Sequence, residues 1–141
     1  MMASQQILAV VQSDLPLISS LRSFLELNDY PATVARNSQE AILYLRGVGI
    51  YANRFRYPQP SILILDSLNP GGADLEVLAW VRNEPEFADI PVLILCTERH
   101  SPAHVTCMLD PHSFVVDRGN FCDLLDALRL IRQRDVNTSV T

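Results

Sequence analysis

Short, uninterrupted apolar runs alternate along the chain with longer segments in which apolar residues recur every three or four positions. The runs at 7–11, 62–65, 92–95 and 114–116 have the character of strands buried on both faces of a parallel sheet. Residues 32–35 read as a weaker, peripheral strand. Between them the helical period appears. Leu17, Leu21, Phe24 and Leu25 form one stripe, stopped at Asn28-Asp29. A second helix opens at Asn37, whose side chain caps it with Glu40 three residues on, buries Ala41, Ile42 and Leu45, and ends at Gly47 and Gly49. A third covers about residues 74–83, with Asp74 in its first turn and Leu75, Leu78, Ala79 and Trp80 facing inward. Residues 101–109 give a weaker helical pattern between Pro102 and Pro111. A last helix runs from about Asn120 to Arg134 on a stripe of Phe121, Leu124, Leu125, Leu128 and Ile131. The pattern is (βα)5. It predicts one doubly wound α/β domain over residues 1–134, with a parallel five-stranded sheet between two helical layers and a flexible tail at 135–141.

Composition narrows the class. The 141 residues are 48% hydrophobic and 19% charged, enough for a single core that needs neither disulfides nor a metal. No apolar run approaches the ~20 residues of a membrane-spanning helix. The opening Met-Met-Ala-Ser-Gln-Gln has no basic and apolar leader pattern, so a cytoplasmic protein off the membrane is expected. A net charge of −5 opposes binding to a phosphate backbone. Every one of the 11 basic residues is arginine, which excludes a Walker-A phosphate loop and a lysine Schiff base. Cys96, Cys107 and Cys122 lack metal spacing and read as reduced thiols. His100 and His104 share a helical face, yet without a third ligand a solvated face is the better reading. Residues 51–60, rich in aromatics and arginine, form a long connection: a solvated loop with one or two aromatics tucked onto the domain, or a contact surface.

In such a sheet, ligands bind beyond the carboxyl ends of the strands, where strand order reverses. That selects Gln12, Ser13 and Asp14 after the first strand, Asp66 after the third, Cys96 and Thr97 after the fourth, and Asp117 after the fifth. Asp66 directly follows Ile-Leu-Ile-Leu, at the mouth of a hydrophobic strand. Locally it is equally a site carboxylate or a turn-initiating residue that accepts from the next backbone N–H groups.

At this point the chain resembles the receiver domains of two-component response regulators, over about residues 6–134. The likeness rests on Ile-Leu-Ile-Leu-Asp66 with Pro70 four residues on, on residues 35–41, on Ile-Pro-Val-Leu-Ile-Leu at 90–95, and on Ser-Phe-Val-Val at 113–116. Residues 44–49, the long loop after them and residues 83–87 look like the single-domain receivers that partner cyanobacterial phytochrome-type kinases. The resemblance implies a flavodoxin-like sheet in the order 2-1-3-4-5. It also implies an acceptor Asp phosphorylated by a histidine kinase, Mg²⁺ held by an acidic pair after the first strand, a hydroxyl after the fourth and a lysine after the fifth. Carried over, Asp66 is the acceptor, Leu68 supplies the carbonyl, and Phe114 is the switch aromatic. The acidic pair falls on Gln12 and Ser13 with Asp14 adjacent, the hydroxyl on Cys96 with Thr97 adjacent, and the lysine on Asp117.

Those departures weaken the pocket. Mg²⁺ is recruited by carboxylates, so only Asp14 and Asp66 remain as metal candidates, and Mg²⁺ is expected only if the pocket is still active. A unit charge about 4 Å from another is worth roughly 4 kcal/mol at an effective dielectric of 20; exchanging an ammonium for a carboxylate at even a quarter of that effect disfavours phospho-Asp66 around tenfold. The expected function is a pseudo-receiver, a non-enzymatic contact module with weak or absent phosphorylation. Its partners would be a histidine kinase, another signalling protein or a second copy, met through the face of the 101–109 helix, the last strand and the last helix. A conventional phosphoacceptor is the alternative. A flavodoxin-like nucleotide-binding protein or enzyme ranks third, because residues 12–16 hold no glycine-rich phosphate turn and no histidine is placed beside Ser13 or Cys96.

Overall fold

The computed structural model describes residues 6–11, 15–66, 73–96, 112–117 and 119–140. In chain order the elements are β1 (Ile7–Val10), α1 (Leu15–Leu27), β2 (Ala32–Ala35), α2 (Ser38–Arg46), a 3₁₀ turn (Gly49–Ala52), β3 (Ile62–Asp66), α3 (Ala73–Asn83), β4 (Val92–Cys96), β5 (Ser113–Asp117) and α4 (Phe121–Val140). The five strands form one parallel sheet in the order β2-β1-β3-β4-β5. The weak helical pattern at 101–109 lies outside the described residues.

Alternation along the central strands divides the core into two layers. Leu8, Val10, Leu63, Leu65, Val92 and Ile94 meet α2 and α3 on one face. Ile7, Ala9, Ile62, Ile64, Leu93 and Leu95 meet α1 and α4 on the other. Both faces are therefore dry, which is why these strands read as unbroken apolar runs. The edges differ. β2 is half-buried, as its weaker pattern implied. β5, expected to be buried on both faces, sits at the other edge, with Val115 exposed and only Val116 fully buried.

The helices depart from expectation in phase and in length. In α2, Asn37 accepts from the Glu40 N–H at 2.7 Å, as its cap pattern predicts. The inward residues, however, are Ala41, Tyr44 and Leu45, while Ile42 is half-buried. In α3 the inward face is Val77, Leu78 and Val81; Ala79 is exposed and Trp80 half-buried against Phe87. A stripe of two β-branched residues and a leucine outweighs one centred on an alanine, because it buries more apolar area. The last helix does not stop at Arg134 but runs to Val140, so residues 135–140 continue it where a flexible tail was expected. None of them is Gly or Pro, and extending a formed helix costs far less than starting one.

Candidate functional site

The chain leaves β1 for β2 on one side of the sheet and returns through β3 on the other, so the order reverses between β1 and β3. β3 ends there on Asp66. The register sets Val10 opposite Leu65 and Leu95 opposite Asp66, which puts the carboxylate one step beyond the last β1 pair. Asp66 is 5% exposed; with Ser38 it makes up the buried polar side chains among the described residues. A carboxylate is buried at such cost that it is kept where hydrogen bonds, a cation or chemistry compensate it. Asp66 is thus buried at the switch point and does not lie on an exposed turn.

The next strands bring two further candidates to the same end of the sheet. Cys96 closes β4 opposite Asp117 of β5, its side chain outside the described residues. Asp117 lies two strands from Asp66, roughly 10 Å away at the usual strand spacing. It is exposed, and its Oδ1 accepts the Gly119 N–H at 2.9 Å, while its carbonyl accepts from Asn120 at 3.1 Å. Asn120 in turn caps α4 by accepting from the Cys122 and Asp123 N–H groups at 3.0 and 3.3 Å. Asp117 thus belongs to the turn that starts α4. The sequence reading missed that role, although Asp-x-Gly-Asn carries the mark of a side chain that bonds its own turn. Phe114, opposite Leu93, is half-buried against the α1 and α4 layer.

Gln12, Ser13, Asp14, Leu68 and Thr97 lie outside the described residues. Among the described residues no group of three or more His, Cys, Asp or Glu side chains is placed to hold a metal. None of the described helices is long and apolar enough to cross a membrane. What the described residues offer chemically at this end of the sheet is one buried carboxylate, Asp66, and one exposed carboxylate, Asp117, at the end of β5.

No protein-family model matches the sequence. Over 88 residues the chain is 30% identical to response regulator Rcp1 of Synechocystis sp. (strain ATCC 27184 / PCC 6803 / Kazusa), a stretch of 57% of this chain and 58% of Rcp1. The match therefore spans a little over half of that relative's length. Rcp1 has also been solved in an Mn²⁺-bound form, 25% identical, covering 90% of this chain and 91% of that one with a TM-score of 0.67. The bacteriophytochrome response regulator AtBRR is 26% identical over 91% of this chain and 92% of its own, with a TM-score of 0.73. The phosphorylated cyanobacterial phytochrome response regulator RcpA is 25% identical, with 93% of both chains covered and a TM-score of 0.66. Strand order, the acid at the switch point and this likeness along nine tenths of the chain agree, and the chain has the doubly wound fold of the response-regulator receivers that it resembles.

Proposed function

We propose that residues 1–134 act as a pseudo-receiver, a contact module in two-component-type signalling, with phosphorylation of Asp66 weak or absent. The observation that carries this reading is Asp117: where a receiver needs a cation for the incoming phosphoryl group, this chain has an exposed carboxylate committed to its own turn, and no lysine anywhere. The repulsion first expected from Asp117 is smaller than at 4 Å, because distance and solvent screen it. No lysine in the chain can supply the attraction that a receiver's lysine gives. Arg118, next in sequence to Asp117, lies outside the described residues. A divalent ion would rest on Asp66, Asp14 and the Leu68 carbonyl, with Gln12 and Ser13 adding only neutral oxygens. Such an ion, when bound, would neutralise charge between Asp66 and a phosphoryl donor; the chain's own part is to hold the Asp66 carboxylate in place at the end of β3.

Conventional phosphotransfer is the second reading. The burial of Asp66 at the switch point and the likeness to the phosphorylated RcpA and Mn²⁺-bound Rcp1 support it. A phytochrome-type sensor or its histidine kinase is then the partner to test, with the face of β5 and α4 as the contact surface. Incubation with Mg²⁺ and acetyl phosphate, followed by intact mass, separates the two. The pseudo-receiver stays substoichiometrically modified. Full addition of one phosphoryl group, lost in Asp66→Asn, overturns the proposal in favour of the second reading.

A further inference from the structure

Phe55 is 98% exposed, yet the turn that carries it is tied down from both sides. Arg54 donates to the carbonyls of Tyr44 and Leu45 at 2.9 Å each and of Tyr57 at 3.3 Å. Asn53 Oδ1 accepts from the Phe55 and Arg56 N–H groups at 3.1 and 3.3 Å, and the Tyr57 N–H donates to the Asn53 carbonyl at 2.8 Å. An aromatic ring on a turn already ordered by the fold loses little further entropy on binding, which is the property of an interface anchor.

The surroundings say what such an anchor fits. Leu43, Val48 and Ile50 continue the exposed apolar surface at the end of α2, where the Val48 N–H donates to the Leu43 carbonyl and brings those two residues together. Arg46 and Arg56, in the same stretch of chain, are exposed as well. Residues 41–65 contain three arginines and no acidic residue, in a chain whose net charge is −5. The complement is an apolar hollow with an acidic rim. This chain has one between β5 and α4: about 500 Å³, with Val115, Ala127 and Leu130 as apolar lining and the exposed carboxylates of Asp123 and Asp126 beside them. Val115 and Leu130 are 36% and 54% exposed. Within one molecule the two surfaces cannot meet, because α2 packs beside β1 and β2 whereas β5 is the opposite edge of the sheet.

We propose that Phe55, flanked by Arg46 and Arg56, docks into the β5–α4 hollow of a second copy of this chain, with Asp123 and Asp126 facing the arginines. The contact is heterologous, one surface meeting a different one, and it either closes reciprocally or propagates head to tail. It rests on the reading of the β5–α4 face as a contact surface and adds what fills it; it is independent of phosphorylation.

Sedimentation velocity of the full chain over a wide concentration range, at low and high salt, tests it. Reversible self-association that weakens with salt is expected. Phe55→Ala weakens it about thirtyfold, the size of an interface hot spot. Arg56→Asp also weakens it, and adding Asp126→Arg to that variant restores it. All these side chains are exposed, so circular dichroism of each variant should match the parent. A chain that stays monomeric throughout overturns both the anchor and the face as a self-contact. Association lost in Leu130→Arg but unchanged in Phe55→Ala keeps the face and overturns the anchor; the converse overturns the pairing of the two surfaces.

Discussion

At Arg54 one guanidinium satisfies three carbonyl oxygens, two of them at the end of α2, where helical carbonyls have no partner of their own. It also lies 5.8 Å from the Tyr44 ring centre. Its close fit explains Gly47. That residue has φ +69°, and a Cβ there would sit 2.9 Å from Arg54 Nη2, so both conformation and space demand glycine. Arg54→Ala leaves these carbonyls without their donor and is expected to lower the unfolding free energy by about 2 kcal/mol, whereas Arg56→Ala, on the exposed side of the same turn, changes it by less than about 0.5 kcal/mol. Urea denaturation of both variants checks this, and equal effects would contradict it. Nothing around Arg54 in sequence announces the role, because the carbonyls at Tyr44 and Leu45 lie ten and nine residues back. Asp66 is the opposite case: the run of apolar residues before it marked the position, while its burial is a property of the packed sheet.

The element that α2 forms with the turn after it was legible at its start and hidden in its packing. A cap residue bonds three positions away, so Asn37 and Glu40 could be read directly. Tyr44 could not, because a tyrosine is buried only where its hydroxyl finds a partner, and here that partner is the Pro58 carbonyl at 2.8 Å. Its ring meets those of Tyr51 and Tyr57 with centres 5.1 and 5.9 Å away. The reading of residues 51–60 as a loop with one or two aromatics tucked onto the domain thus describes Tyr51 and Tyr57, which pack against the core. Burial raises the Tyr44 phenol above its ordinary value near 10; burial and then the charge of Glu40, which accepts from the Tyr51 hydroxyl at 3.3 Å, raise Tyr51. In the unfolded chain both lose their protons near pH 10, while the folded protein retains them to higher pH. The unfolded state then binds fewer protons, so stability is fully present below about pH 10 and falls as pH rises through the folded values. Chemical denaturation as a function of pH should show that fall, made shallower by Tyr44→Phe; an unchanged slope in the variant would remove Tyr44 as its source.

For the whole molecule, the pocket and the sheet follow different rules. If Asp66 lacks an acidic pair beside it, Mg²⁺ binds near or above about 10 mM, and that concentration then stabilises the fold by no more than about 0.4 kcal/mol, roughly 2 °C in melting temperature. A larger shift, abolished in Asp66→Asn, would show that the site still recruits a cation effectively. Periodicity along the chain was enough to specify alternating strands and helices, the helix cap at Asn37, the stop at Asn28-Asp29, where Asp29 takes φ +65°, and the absence of any lysine, because each depends on residues close in sequence or on composition alone. Which strand lies at the edge, which turn of α3 faces inward and where the Asp117 carboxylate points depend on neighbours brought from elsewhere in the chain. Burial, register and hydrogen-bond partnership are properties of the packed sheet, and they arise only once segments distant in sequence share one core.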